Sequence, residues 1–249
     1  MSREFRSRLK AGETLLGTMV TLNTPATAEI LADVGFDWLF VDAEHGPLET
    51  AEVLSILQAV DNQIACLVRV PALGETTIKK MLDLGAAGII VPQVNTAEQA
   101  VDVVRYSRYA PEGTRGVGLA RAHGYGMKFQ DYLDNANESV SVVVQAEHAE
   151  AVENIEAIVK VPGVDAVLLG PYDLSASLGQ TGKLGHPTVV EAINHITETC
   201  LKAKMPLGYF GVTAKAVQPF IDRGYTLIVA GVDTLMLAHS AGKLLGDLR

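Results

Sequence analysis

Four short segments concentrate residue types suited to acid–base and cation chemistry. They are Asp42-Ala43-Glu44-His45-Gly46, Arg69 within Leu67–Pro71, Gln145-Ala146-Glu147-His148, and Tyr172-Asp173 within Gly170–Ser175. Glu147 and Asp173 offer two carboxylates and no thiolate. That donor set suits a hard, oxygen-seeking ion, Mg2+ or Mn2+, rather than structural zinc, and leaves coordination positions for a chelating substrate. The bland alternative is a solvated or helix-capping pair. Arg69 ends an apolar run with no acidic neighbour in that run. A guanidinium there is shaped to hold a carboxylate or a developing enolate oxygen, or else to close an inter-strand ion pair. His45 lies in a tight turn, where it could serve as a base, a ligand or a helix cap.

The elements that must position these groups follow from the apolar pattern. Run-on Val/Ile/Leu segments at Leu15–Val20, Asp37–Val41, Ile64–Val70, Gly88–Val91, Val140–Ala146, Asp165–Leu169, Pro206–Phe210 and Thr226–Ala230 predict parallel strands covered on both faces. Helical spacing appears between them: Ala97, Ala100, Val101 and Val104, then Val189, Ile193, Ile196 and Cys200. Further helices are expected around Ala26–Val34, Thr50–Val60, Thr76–Leu84, Ala149–Val159, Ala214–Ile221 and Thr234–Leu245. Eight βα units in 249 residues predict an α/β fold, a closed (β/α)8 TIM barrel forming one domain over 1–249. In such barrels chemistry sits at the C-terminal ends of the strands, which is where all four segments fall. Glu147 and Asp173 then come from neighbouring strands and can converge. One stretch, 108–139, is irregular and Gly-rich, and a loop of that length is expected to be functional or partner-binding.

Composition narrows the function. With 20 Lys and Arg against 29 Asp and Glu the net charge is −9, which argues against nucleic acid as a partner. No apolar run approaches the ~20 residues of a membrane span, and the charged start of the chain has no signal-peptide core, so a cytoplasmic protein is expected. Cys66 and Cys200 are expected in the core. The glycines of 116–126 lack the strand–turn–helix context of a dinucleotide site, and there is no Walker motif, so no organic cofactor is expected. His195, His239 and His186 are expected at the surface or in packing. His148 starts a helix, and His123 is a candidate for reaching substrate or a neighbouring subunit.

Taken together the motifs resemble the metal-dependent (class II) pyruvate aldolases of the 4-hydroxy-2-oxoheptanedioate and 2-dehydro-3-deoxyglucarate aldolase type. The resemblance rests on G-F-D-W-L-F-V-D-A-E-H-G-P at 35–47, L-V-R-V-P at 67–71, L-D-L-G-A at 82–86, I-I-V-P at 89–92, G-x-R-G-x-G at 113–118, Q-A-E at 145–147 and G-P-Y-D-L-S at 170–175. It implies a barrel assembled as a homo-hexamer, with C-terminal helices exchanged between subunits. It implies His45 as base, Asp83 as the carboxylate that raises its basicity, and Arg69 as the enolate stabiliser. Glu147 and Asp173 become ligands of one divalent ion (Mg2+ or Mn2+, with Co2+ as a substitute), and Gln145, Tyr172 and Asp173 contact the pyruvate moiety. Two segments depart from the usual pattern: Q-A-E-H stands for Q-[IV]-E-[TS], and Tyr172 stands where a small residue is common.

The implied reaction is reversible retro-aldol cleavage of a 4-hydroxy-2-oxo acid to pyruvate and an aldehyde, through a metal-stabilised pyruvate enolate. A Schiff-base aldolase needs a strand lysine, and Lys160 and Lys204 both precede strands. A related oxo-acid lyase or decarboxylating synthase, and a non-catalytic oxo-acid-binding barrel, are the alternatives. The acceptor aldehyde is expected to be selected by loops 208–213, 231–233 and 115–125, where Arg121 and His123 would favour an acidic one.

Overall fold

A computed structural model of the chain describes residues 2–249. Eight parallel strands close in sequence order: β1 (Leu15–Val20), β2 (Trp38–Asp42), β3 (Ala65–Arg69), β4 (Gly88–Val91), β5 (Ser141–Ala146), β6 (Ala166–Leu169), β7 (Leu207–Gly211) and β8 (Leu227–Val232). β8 returns to pair with β1. The fold is a single (β/α)8 barrel. Strand alternation divides the core in two. Trp38, Phe40, Leu67, Val143 and Leu168 fill the interior, whereas Leu39, Val41, Val68, Val142 and Leu169 face the helices.

The expected strands stand within a residue or two of their observed ends. Three helices were not anticipated: one is the short Pro171–Ser177 after β6, and the other two lie toward the N-terminal face. A helix at Ser2–Lys10 plugs the N-terminal end of the barrel. Phe5 and Leu9, spaced i, i+4 on an otherwise charged segment, are buried with the interior cluster, and Phe5 packs 6.1 Å from Trp38 between ring centroids. Its Arg6 pairs with Asp165 (2.9 Å), which Arg108 also approaches (3.4 Å). The third is the helix Phe129–Ser139 inside the stretch expected to be irregular. Its N-terminal part does carry a kinked 3-10 turn, Arg121–Gly126.

That long segment links the helix Ala97–Ser107 to β5, so chain direction puts it at the N-terminal face, opposite the ends of the strands. Arg121 confirms the placement, donating to the carbonyls of Leu57 and Leu84 at the ends of two barrel helices. Among the described residues no helix is long and apolar enough to cross a membrane.

Candidate active site

Period-two alternation builds the floor of the site. Trp38, Phe40 and Asp42 face inward along β2; Ala65, Leu67 and Arg69 along β3; Val143 and Gln145 along β5. Each strand thus ends its apolar inward row with one polar side chain at the C-terminal face. The β2–β3 register sets Asp42 opposite Arg69. Arg69 Nε donates to Asp42 Oδ1 (2.9 Å) and Nη2 donates to Oδ2 (2.7 Å), a buried bidentate pair. Nη1 lies 3.1 Å from Glu44 Oε2, and the guanidinium sits over the Phe40 ring at 5.1 Å. Burial acts to lower the Arg69 pKa, but Asp42, Glu44 and Glu147 together hold it above the ordinary value, so the group stays charged.

Asp42 also shapes the turn that follows. Its Oδ1 accepts the main-chain N–H groups of Glu44 (3.1 Å) and His45 (3.3 Å). A Cβ on Gly46 would collide with the Asp42 carbonyl oxygen, so the turn requires glycine there. His45 is thereby carried to the rim, with its side chain 64% exposed and Nε2 3.7 Å from Glu44 Oε2. Burial raises the Glu44 pKa against the opposing pull of Arg69 and His45, with Asp42 and Asp173 adding like charge.

The second half of the site comes from β5 and β6. Glu147, 2% exposed, accepts Gln93 N–H (2.9 Å) and Gln93 Nε2 (3.2 Å) on Oε1, and Gln145 Nε2 on Oε2. Burial pushes its carboxyl up to about 7, assisted by the charges of Asp173 and Glu44 and opposed by the Gln93 N–H and by Arg69. After β6, Gly170 leads into the short helix Pro171–Ser177, which carries Asp173 in its first turn. A Cβ on Gly170 would meet Glu147 Oε2 and Gln145 Nε2, so only glycine lets this turn pass the carboxylate. Asp42, His45, Arg69, Gln145 and Asp173 line a cavity of about 330 Å3, walled by Met19, Phe40, Leu168, Tyr172 and Phe210.

The donor chemistry fits a hard divalent ion. Glu147 and Asp173 are close enough to repel, Glu147 is held only by neutral amides, and Gln145 Oε1 is buried without a partner. Among the described residues no group of three or more His, Cys, Asp or Glu side chains is placed to hold an ion together. Glu147 and Asp173 would be the residues to hold such an ion, with substrate oxygens free to join them.

Residues 16–240 match the family model described as HpcH/HpaI aldolase/citrate lyase. The chain belongs to that family. It is 41% identical over 242 residues to a 4-hydroxy-2-oxovalerate aldolase of Rhodococcus jostii, covering 96% of this chain and 93% of that protein. It is 40% identical over 248 residues to a hydroxypyruvate/pyruvate aldolase of Cupriavidus necator, covering 98% and 92%. The crystal structure of an HpcH/HpaI aldolase/citrate lyase family protein from Burkholderia cenocepacia J2315 superposes with TM-score 0.96 at 35% identity, covering 99% of both chains. As a member of the HpcH/HpaI family the chain is a carbon–carbon lyase of the aldolase class.

On this family barrel, His45, Arg69, Gln145, Tyr172 and Asp173 meet at one cavity, with Glu147 against its Gly170 wall. Asp83 does not join them. It ends the helix Glu75–Asp83, which starts at the C-terminal face and runs ~13 Å toward the other. There it accepts from Arg115 Nη2 (2.7 Å). Within one chain, then, Asp83 does not orient His45, and the turn is set by Asp42 instead. Arg121 and His123 lie at the same far face. His123 is buried, with Nε2 3.2 Å from Tyr109 Oη, and its pKa is lowered by burial. Neither lines this chain's own cavity, because Arg121 is tied to the carbonyls of Leu57 and Leu84 and His123 to Tyr109 at the N-terminal face.

Asp42, Glu44 and Gln93 carried no assigned role in the sequence. Glu44 was visible within the D-A-E-H-G turn, but its contact with Arg69 depends on the β2–β3 register. Gln93 stands just beyond the apolar I-I-V-P run that ends β4, where a lone amide carries no catalytic signature.

Proposed function

We propose that the chain catalyses reversible cleavage of a 4-hydroxy-2-oxo acid to pyruvate and an aldehyde, with one divalent cation held by Glu147 and Asp173. The observation that carries this is the convergence of Arg69, His45 and Gln145 on a cavity closed by two unneutralised carboxylates. Mg2+ or Mn2+ at that pair would supply Lewis acidity toward the carboxylate and 2-oxo oxygens of the substrate.

The chain's own groups account for the rest. Arg69 directs two of its five N–H groups at Asp42 and holds Nη1 beside Glu44, which leaves Nη N–H groups for a substrate oxygen. Held rigid by Asp42, it offers those donors to the oxygen that gains negative charge as the C3–C4 bond breaks. Gln145 lies at the floor beneath the same position. His45 at the rim takes the proton of the 4-hydroxyl, so the electron pair of that O–H becomes the aldehyde carbonyl and the C3–C4 pair passes to the pyruvate enolate. Proton return to C3 completes pyruvate formation. The Tyr172 main chain and the Asp173 side chain bound the pyruvate end, while the Tyr172 ring stands at the mouth.

We also propose a cytoplasmic homo-hexamer. The helix Asp233–Asp247 supports exchange between subunits, since Leu237, Leu244 and Leu245 are exposed and Asp233 alone is buried. In such an assembly Asp83 keeps its assigned role only toward His45 of a second copy.

The test is pyruvate release from a panel of 4-hydroxy-2-oxo acids with Mg2+ or Mn2+. Cleavage should stop on chelation, return with the metal, and be lost in His45→Ala and Asp173→Ala. Activity that survives thorough chelation, or a borohydride-trapped pyruvate adduct, would overturn the proposal.

A further inference from the structure

The described residues include three non-glycine residues with positive φ: Gln93, Tyr125 and Lys204. Lys204 caps the end of a helix, and Tyr125 lies in the 3-10 turn at the N-terminal face. Gln93 sits directly beyond β4, at φ 53, where glycine would stand without steric cost. The conformation has a definite result. It turns the main-chain N–H and the side-chain amide of one residue onto the same oxygen, Glu147 Oε1, at 2.9 and 3.2 Å. Gln145 Nε2 holds Oε2, which abuts Gly170, the residue preceding the Asp173 helix.

The two inward carboxylates of this site are therefore treated differently. Asp42 is neutralised by the Arg69 guanidinium. Glu147 is cradled by three neutral N–H donors, which fix its plane without cancelling its charge.

We propose that Gln93 is the positioning residue of the cation site, holding Glu147 by one oxygen so that the carboxylate stays oriented and available to a divalent ion. Backbone strain at a residue whose side chain serves a neighbouring ligand explains why glycine does not stand here. The inference rests on Glu147 being a cation ligand.

Mn2+ binding to the metal-free full chain, followed by electron paramagnetic resonance or calorimetry, tests it. Gln93→Met removes the amide but keeps bulk and main-chain N–H; Gln93→Gly removes the side chain and relieves the left-handed strain. Glu147→Gln serves as control. Both Gln93 variants should weaken Mn2+ binding roughly tenfold, the low end for loss of a ligand's supporting partner. The metal-free melting temperature of Gln93→Gly should equal or exceed that of the wild type. Mn2+ affinity within about twofold of wild type in both variants would overturn the positioning role. So would a melting temperature that falls in Gln93→Gly along with affinity, which marks a merely structural residue. A wild type that binds no Mn2+, or a Glu147→Gln chain that binds it normally, would instead bring down the assignment of Glu147, and the role of Gln93 with it.

Discussion

Glu147→Gln should stabilise the metal-free protein while abolishing its cation site. The Glu147 carboxyl stands at about 7 in the fold against an ordinary value of 4.5, chiefly because it is buried. A carboxyl raised by folding favours the native state fully below the unfolded value, and that contribution is lost as pH climbs through the folded value. At 1.36 kcal/mol per unit, the wild type carries a penalty of about 3 kcal/mol at pH 8, about 2 at pH 6 and about 1 at pH 5. The amide carries none. It can also be satisfied in place: its oxygen accepts from Gln93, and its NH2 meets Gln145 Oε1, now unpartnered, once the Gln145 amide rotates. Urea unfolding of both proteins, freed of metal and compared at one protein concentration from pH 5 to 8, measures the difference. The variant should lead by about 2–3 kcal/mol at pH 8, with the lead shrinking toward pH 5. Saturating Mg2+ or Mn2+ at about 100 times its dissociation constant should restore about 2.7 kcal/mol to the wild type alone. A variant that is equal or less stable at pH 8, or a lead that does not change with pH, would refute the reasoning.

Three further outcomes follow from the same geometry. Arg69→Lys loses the two-pronged hold on Asp42, so kcat should fall roughly 100-fold with oxo-acid substrate, measured by coupled pyruvate detection. Gly170→Ala places a Cβ 2.7 Å from Glu147 Cβ and against its Oε2, so Mn2+ affinity should drop at least about tenfold by calorimetry. Tyr172→Ala removes a ring that is 48% exposed at the mouth but keeps the main chain. Bulkier aldehydes should then be accepted in the addition direction with the KM for pyruvate unchanged; a raised KM with the old acceptor range would assign the ring to pyruvate instead.

The barrel was legible because run-on apolar segments alternate with helical stretches eight times along the chain, and the end-of-strand rule then located Asp42, Arg69, Gln145 and Glu147. What the sequence hid was relational. Asp42 and Arg69 are 27 residues apart, and only the β2–β3 register makes them partners. The helix Ser2–Lys10 hid because its mean polarity is high and just two residues, Phe5 and Leu9, carry its burial. Asp83 and Arg121 stand away from the cavity of their own chain for a topological reason. Motif order records which residues recur together and not which end of a barrel they occupy, and a residue at a helix end lies a helix length from the strand end before it.

That distinction bears on how so acidic a chain could admit an anionic oxo acid. Arg69 cannot serve as a free anion trap, because Asp42 and Glu44 already engage it and raise its pKa rather than leave it seeking charge. The remaining groups near the cavity include Glu147 and Asp173; burial chiefly raises the Glu147 carboxyl, and the like charge of Asp173 adds to it. Without a cation, then, the site presents an oxo acid with unneutralised carboxylates and a guanidinium whose charge is largely committed. The same carboxylates would become an advantage with a divalent ion held by both, since protein and substrate would then supply oxygens to one centre. Affinity for pyruvate should accordingly depend on the cation and, through Glu147, weaken as pH falls below about 7. The local inventory of charges decides this, and the net charge of −9 does not.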